Sequence, residues 1–508
     1  TPPVGARPAH GPRTGCVDGD VAQEAHYYCL QSRPSVMASS NPVREESVPV
    51  QLPSELMVSV SGVRGRVGAP LTPELIAGIA AAFGAFVRSE GDDGPIFVGR
   101  DSRTSGPMLA RAAVAGLESV GCDVVDLGVV PTPTLLLAVE EAGGAGGLGV
   151  TASHNPAEWN ALKLVSGEGI FLDAERSARF RRFLTEVDPP RATWDRLGTL
   201  AEDAGAWRRH LDRILSLPVL DVDALRSRGF HVAVDCVHGA GGPVIAELLE
   251  ALGCSWKGIG MEADGLFPRD PEPTAANLSE LGRLVTESDA VVGLAIDPDV
   301  DRLSLVDEAG RPMGEDLTLA LTAAAVLRRT PGPVVTNLST SQVVDDVAGA
   351  YGSRVIRAPV GEVNVARRMQ REGAVFGGEG NGGVILPALH YTRDAPLAVA
   401  LVLQHLLDDG LSPSMAAAKW PEYKIVKEKV SFPREALAEA YAALGQDLEA
   451  PERDESDGLR LAWPDRRAWL HVRPSGTEPV VRLIAEAPTG VEAEALVDRA
   501  AALLSGVA

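Results

Sequence analysis

The chain is poor in cysteine, poorer still in lysine, and carries no excess of positive charge. Its five cysteines, at 16, 29, 122, 236 and 254, include no CxxC pair and are too sparse for a disulfide framework. They read as reduced thiols of a cytoplasmic protein. Asp and Glu outnumber Lys and Arg by 69 to 47, which argues against a protein that grips nucleic acid through its phosphates regardless of base sequence. No run approaches about 18 consecutive apolar residues and no charged-then-apolar start is present, so neither a membrane span nor a secretory leader is expected. Six lysines stand against 41 arginines, so a lysine inside a motif is informative. What remains is an ordinary globular composition, 45% apolar and 23% charged over 508 residues, enough for three or four domains of roughly 100–200 residues each.

Residues 1–50 hold seven prolines and no apolar periodicity and read as a disordered tail, with Met37 or Met57 as natural starts. Beyond it a strand–helix–strand pattern occurs three times. Ile96–Gly99 leads to a helix over Met108–Ser119 and a strand at Val124-Val125. His231–Asp235 leads to a helix over Val244–Leu252, and Val334-Val335 to a helix over Val343–Ala350 and a strand at Val355-Ile356. Gly121, Gly253 and Gly352 follow these helices, where a left-handed residue ends a helix. Three weak copies of one unit predict three similar α/β domains with mixed sheets. Strands at Val472 and Val480–Ala485 and a helix over Val491–Leu504 predict a smaller C-terminal α+β domain. The expected divisions are 51–200, 201–310, 311–420 and 421–508.

Five segments carry chemistry. In Gly149-Val150-Thr151-Ala152-Ser153-His154-Asn155-Pro156, an apolar strand ends and the chain turns, presenting Ser153. His154 and Lys163 stand near it to move protons or offset phosphate charge; an ordinary Asn-Pro turn fits the same string. The apolar run Ala290–Ile296 leads into Asp297, Asp299 and Asp301, whose carboxylates fall on one side of an extended segment. Three such anions need a hard cation among them, and an all-oxygen set suits Mg²⁺. A calcium loop would accept Glu308 at its twelfth position, but Arg302 stands where it needs glycine. In Gly377–Gly383, after a short strand Val375-Phe376, five glycines leave Glu379 and Asn381 projecting, suited to sugar hydroxyls or an amino group; taken alone, the string reads better as a flexible turn. Arg473-Pro474-Ser475-Gly476-Thr477-Glu478-Pro479 combines a guanidinium, hydroxyls and glycine-freed N–H groups in a nest for an anion, with Arg482 adding charge from the next strand. Ser61–Gly68 places Arg64 between glycines. Apart from the Arg64 loop, the segments fall one to each expected domain, as four walls of a central cleft would.

Together these segments resemble the α-D-phosphohexomutase superfamily over about residues 57–508, in order, in spacing and in the offset of the rare Lys163. The resemblance implies four domains around a deep cleft and a phosphoserine at Ser153. It implies Mg²⁺, one per site, held by Asp297, Asp299, Asp301 and an oxygen of the Ser153 phosphate. Arg64 and Lys163 match residues of proton transfer or charge stabilisation, with His154 beside them. Glu379 and Asn381 match the sugar loop, Gly361 and Glu362 a second sugar-recognition loop, and Arg302 a substrate contact. Arg473, Ser475, Gly476, Thr477 and Arg482 match the distal phosphate site. The implied reaction interconverts hexose 6-phosphate and hexose 1-phosphate through a hexose 1,6-bisphosphate. Trp159 and Thr392 depart from residues often seen at their positions.

Asn381 stands where many bacterial relatives carry serine, and Ser59-Val60-Ser61-Gly62-Val63-Arg64-Gly65 looks like the archaeal and bacterial phosphoglucosamine mutases. Glucosamine 6-phosphate is therefore the expected substrate, with phosphomannomutase/phosphoglucomutase activity as the alternative. A metal-dependent serine phosphatase and an inactive sugar-phosphate sensor are readings from other classes. A small sugar phosphate is the only partner expected, with neither nucleic acid nor membrane, and the protein is expected to be a monomer or homodimer.

Overall fold

The structure, a computed structural model, describes residues 49–59, 62–475 and 480–507. Most of the expected tail, together with Ser61, Gly476 and Thr477, lies outside the described residues.

Four sheets follow one another along the chain. The first has seven strands, ordered Met57–Ser59, Gly62–Arg66, Trp159–Ser166, Gly146–Val150, Ile96–Arg100, Val124–Val129 and Leu200–Glu202. Its centre is parallel, and the first three strands in that order run antiparallel to their neighbours. The second sheet, Leu303–Val306, Val292–Ile296, His231–Asp235 and Ser255–Ile259, and the third, Val355–Ala358, Val334–Asn337, Phe376–Glu379 and Gly383–Ile385, are each parallel with one antiparallel edge. These are the expected mixed sheets. The fourth is antiparallel throughout: Lys424–Ser431, Val480–Ala487, Ala468–Pro474, Leu459–Trp463 and Glu452–Asp454, packed beneath the helix Gly490–Val507.

The repeating units form as their patterns dictate. The predicted helices occur at Gly106–Ser119, Gly241–Ala251 and Val343–Ala350, and the glycines after them take left-handed backbones. The second and third sheets, however, share one hydrophobic core. Helices Glu315–Leu327 and Ala395–Asp409 form its centre and are apolar almost all round, so they bury nearly every side chain instead of one face. Truncating a centre such as Leu401, fully buried, to alanine would cost about 2–5 kcal/mol. The loops after these sheets are therefore anchored on common packing. Among the described residues no helix is long and apolar enough to cross a membrane.

Candidate active site

Strand Gly146–Val150 is buried along its whole length and ends at Thr151. The chain then turns through Ser153, whose φ of 49° is a left-handed value that a non-glycine residue rarely holds without outside support. That support is visible. The Thr151 hydroxyl accepts from the Ser153 N–H at 2.9 Å and donates to Asp101 at 2.6 Å. Asp101 pairs with Arg103 at 3.1 Å. Arg103, 1% exposed, donates to the carbonyls of Ser153, Asn155, Pro156 and Trp159. A buried guanidinium thus holds the serine loop from beneath. Charged residues placed just after the apolar strand Ile96–Arg100 are the one signal of it in the sequence.

The aspartates do not lie in an extended segment. Strands Val292–Ile296 and Leu303–Val306 are antiparallel neighbours, and the residues between them form a tight turn in which Val300 adopts φ 65°. The turn, rather than strand alternation, gathers the three carboxylates within 4.8 Å of one another, all fully buried. Each has one oxygen held by the protein. Asp297 Oδ1 accepts from the N–H groups of Asp301 and Arg302 at 3.0 and 3.1 Å. Asp299 Oδ2 accepts from Lys163 Nζ at 2.7 Å and Thr132 Oγ1 at 2.9 Å. Asp301 Oδ2 accepts from Arg393. Of the other oxygens, Asp297 Oδ2 accepts from Ser153 Oγ at 3.0 Å, while Asp299 Oδ1 and Asp301 Oδ1 are buried with no hydrogen-bond partner, the latter 3.6 Å from Arg302 Nε. Orphaned buried carboxylate oxygens are costly in an apoprotein and are the donors a hard cation takes. The residues present fit Mg²⁺, held by one oxygen each of Asp297, Asp299 and Asp301. Glu308 faces Ser412 and Ser414 instead, so no calcium loop forms.

Electrostatics follow from this crowding. Burial, then Asp301 and Asp299, push Asp297 far above the carboxylate range. Burial also acts to raise Asp299, but Lys163 and the hydrogen bonds around it outweigh that and hold it far below. Burial, with Arg302 and Arg64 nearby, drives His154 down to about 2, so its ring is neutral. His154 Nδ1 lies 3.4 Å from Ser153 Oγ, close enough to exchange a proton, yet a neutral ring cannot offset phosphate charge. Three cationic side chains stand nearby: Lys163, bonded to Asp299, Arg302, 9% exposed, and Arg64, which donates to Asn155 Oδ1 at 2.7 Å.

The glycine-rich segment is a hairpin between Phe376–Glu379 and Gly383–Ile385, its first strand lying further along than Val375-Phe376. Glu379 does not project freely. It is 3% exposed and accepts from Asn337 Nδ2 and Gly361 N–H, both at 2.9 Å, and from Arg393 at 3.0 Å. Asn381 Oδ1 accepts from the Gly383 N–H at 3.3 Å. Arg393 went unnamed among the expected site residues, yet it joins Asp301, Glu379 and Glu362. Gly383 makes room for it: a Cβ there would meet Arg393 Cδ at 2.2 Å. Thr392, the unusual residue, donates to Glu362.

In the fourth sheet Arg473 and Arg482 stand opposite each other on paired strands. Like charges so placed repel, and Arg482 Nε is buried without an acceptor among the described residues; both facts suit an anion. Arg473 pairs with Asp457 at 3.0 Å, and Asp457 accepts from the Val360 N–H at 3.0 Å. Bonded groups therefore run without a gap from Ser153 through Asp297, Asp301, Arg393, Glu379, Gly361, Val360 and Asp457 to Arg473.

Models of the phosphoglucomutase/phosphomannomutase family match this chain in four parts: α/β/α domain I over residues 56–189, domain II over 208–310, domain III over 314–423 and the C-terminal domain over 426–503. The chain belongs to that family. It is 38% identical over 442 residues to a protein named probable phosphoglucosamine mutase from Methanopyrus kandleri, covering 86% of this chain and 95% of that one. It is 37% identical over 431 residues to a phosphoglucomutase/phosphomannomutase from Thermococcus kodakarensis, covering 84% and 93%. A crystal structure of a phosphoglucomutase/phosphomannomutase family protein from Burkholderia thailandensis superposes with a TM-score of 0.77 at 28% identity, over 89% of this chain and 98% of that one. Family membership makes the protein a phosphohexomutase-type isomerase. It also places the Ser153 loop, the aspartate turn, the hairpin of Glu379 and Asn381, and Arg473 in domains I, II, III and the C-terminal domain in turn.

Proposed function

We propose that this protein interconverts hexose 6-phosphate and hexose 1-phosphate by way of a phosphoserine at Ser153 and a hexose 1,6-bisphosphate, with glucosamine 6-phosphate as its preferred substrate. The observation that carries this reading is the Ser153 hydroxyl directed at 3.0 Å onto Asp297, beside buried oxygens of Asp299 and Asp301 that accept no hydrogen bond. A phosphate on Ser153 would stand at the same cation as those oxygens. Bound there, Mg²⁺ supplies charge neutralisation to the transferring phosphoryl group.

The chain's own residues do the rest. A sugar hydroxyl attacks the phosphorus in line, the bond from phosphorus to Ser153 Oγ breaks, and the proton lost by the sugar hydroxyl ends on the freed Ser153 oxygen. Lys163 and Arg64 stabilise the charge on the oxygens, and neutral His154, 3.4 Å from Ser153 Oγ, is placed to relay that proton to the serine oxygen. Asn381 receives a sugar hydroxyl, with Glu379 and Glu362 held behind it by Arg393, and Arg473 with Arg482 holds the far phosphate. Once the bisphosphate has turned end for end, its other phosphate returns to Ser153. An amide at position 381 can accept from a 2-ammonium group and donate to the neighbouring hydroxyl, which supports the amino sugar.

The test is one preparation assayed on glucosamine, mannose and glucose 6-phosphates, with and without Mg²⁺, following isomer formation and free phosphate together. Isomer formation dependent on Mg²⁺ and fastest with the amino sugar is expected. Free phosphate without isomer would replace this reading with a phosphatase, and neither product would leave a sensor.

A further inference from the structure

The contact between Arg473 and Asp457 has a construction of its own. Asp457 sits in the turn between Glu452–Asp454 and Leu459–Trp463. Its carboxylate meets Arg473 Nε at 3.0 Å through one oxygen and Arg473 Nη2 at 3.4 Å through the other. The same carboxylate accepts from the Val360 N–H at 3.0 Å, next to Gly361 and Glu362. The Asp457 carbonyl lies 2.7 Å from His471 Nε2, whose Nδ1 is 2.8 Å from Ser339 Oγ. Gly458 backs directly onto the arginine strand: a Cβ there would lie 2.4 Å from the Val472 carbonyl and 2.9 Å from Arg473 Cα. The turn is thus seated where its carboxylate forms an ion pair with the guanidinium, with one long hydrogen bond from Nη2 and none from Nε, a loose contact that a phosphate would better. Both side chains remain partly open, at 18% and 19% exposure, so the pair can be exchanged.

We propose that Asp457 is a built-in counter-anion for Arg473, a positioning residue that substrate phosphate displaces and that recaptures the arginine each time the distal phosphate must leave. A reaction that turns its bisphosphate inside the site has to release that phosphate without releasing the molecule. A competing carboxylate makes that release easier. The kinetic part of this inference rests on the mutase reading above; the binding part does not.

The test uses the full chain with D457N, which keeps an oxygen for the Val360 N–H and removes the charge. Inorganic phosphate is titrated calorimetrically, without metal, into the wild type, D457N, R473A and the double variant. D457N should bind phosphate about two- to fivefold tighter, the range for releasing one partly exposed ion pair, and this gain should vanish in the R473A background. In turnover D457N should lower KM and kcat together, a split that general loss of structure does not produce. D457S, with a hydroxyl for the same N–H, repeats the series if D457N melts early. Phosphate affinity that is unchanged or weaker in both variants, or a gain that persists without Arg473, overturns the proposal. Absence of isomerase activity in the wild type refutes the mutase reading alone, because the calorimetry still reports on Asp457.

Discussion

Lys163→Met isolates how the aspartate turn is kept stable without a cation. Lys163 and Asp299 are 6% and 1% exposed and lie 2.7 Å apart. Removing one partner of a buried ion pair costs about 3–5 kcal/mol. Thr132 still donates to the same Asp299 oxygen, which places this case near about 3 kcal/mol. At about 2–4 °C per kcal/mol for units of this size, the first melting transition in EDTA should fall by roughly 6–12 °C. Mg²⁺ should then raise that transition more in the variant than in the wild type, because the lost ammonium no longer repels the ion and Asp299 regains a cation. Differential scanning calorimetry with EDTA and with saturating Mg²⁺ reads both quantities. An equal rise with Mg²⁺ in the two proteins, or no fall in EDTA, would refute the view that Lys163 stands in part for the metal.

Arg473→Ala should raise KM for hexose phosphates about ten- to a hundredfold, the loss of a charge-assisted phosphate contact, with a smaller effect on kcat in steady-state assays. Asp316 offers a pH test away from the metal residues: burial pushes its carboxyl up to about 7, against the hydrogen bond from the Ser341 N–H. Between the ordinary carboxylate pKa and about 7, the folded protein binds a proton that the unfolded chain does not. Stability from this group is therefore full at low pH and falls as pH rises, by about 1.4 kcal/mol per unit within the window. D316N should flatten that decline in denaturant titrations from acid to neutral pH and be the more stable protein at neutral pH.

Much of the site was legible because its chemistry is local. Three acids behind an apolar strand mark a cation site whatever the loop shape, and the improbable Lys163 proves to be bonded to one of them at 2.7 Å. The loop shape itself was not legible: alternation predicts an extended segment, whereas Val300 takes a left-handed turn that a β-branched residue adopts only under tertiary constraint. Arg103, Arg393 and Asp457 were hidden for a related reason. Each acts on residues far along the chain, and in a sequence with 41 arginines one more carries no mark. The sheets followed from short apolar runs, the helices after them and helix-ending glycines. The core shared by the second and third sheets did not, since an all-apolar helix such as Ala395–Asp409 does not show which neighbour it packs against.

The central claim is that Ser153 carries the phosphate, and intact-mass and peptide mapping of protein exposed to hexose 1,6-bisphosphate with Mg²⁺ tests it most directly. The wild type should gain one phosphate, located at Ser153 and removed by excess hexose monophosphate. S153A should gain none and turn over less than a tenth as fast. Phosphate found on another residue, or isomerisation continuing in S153A at near the wild-type rate, would contradict the account.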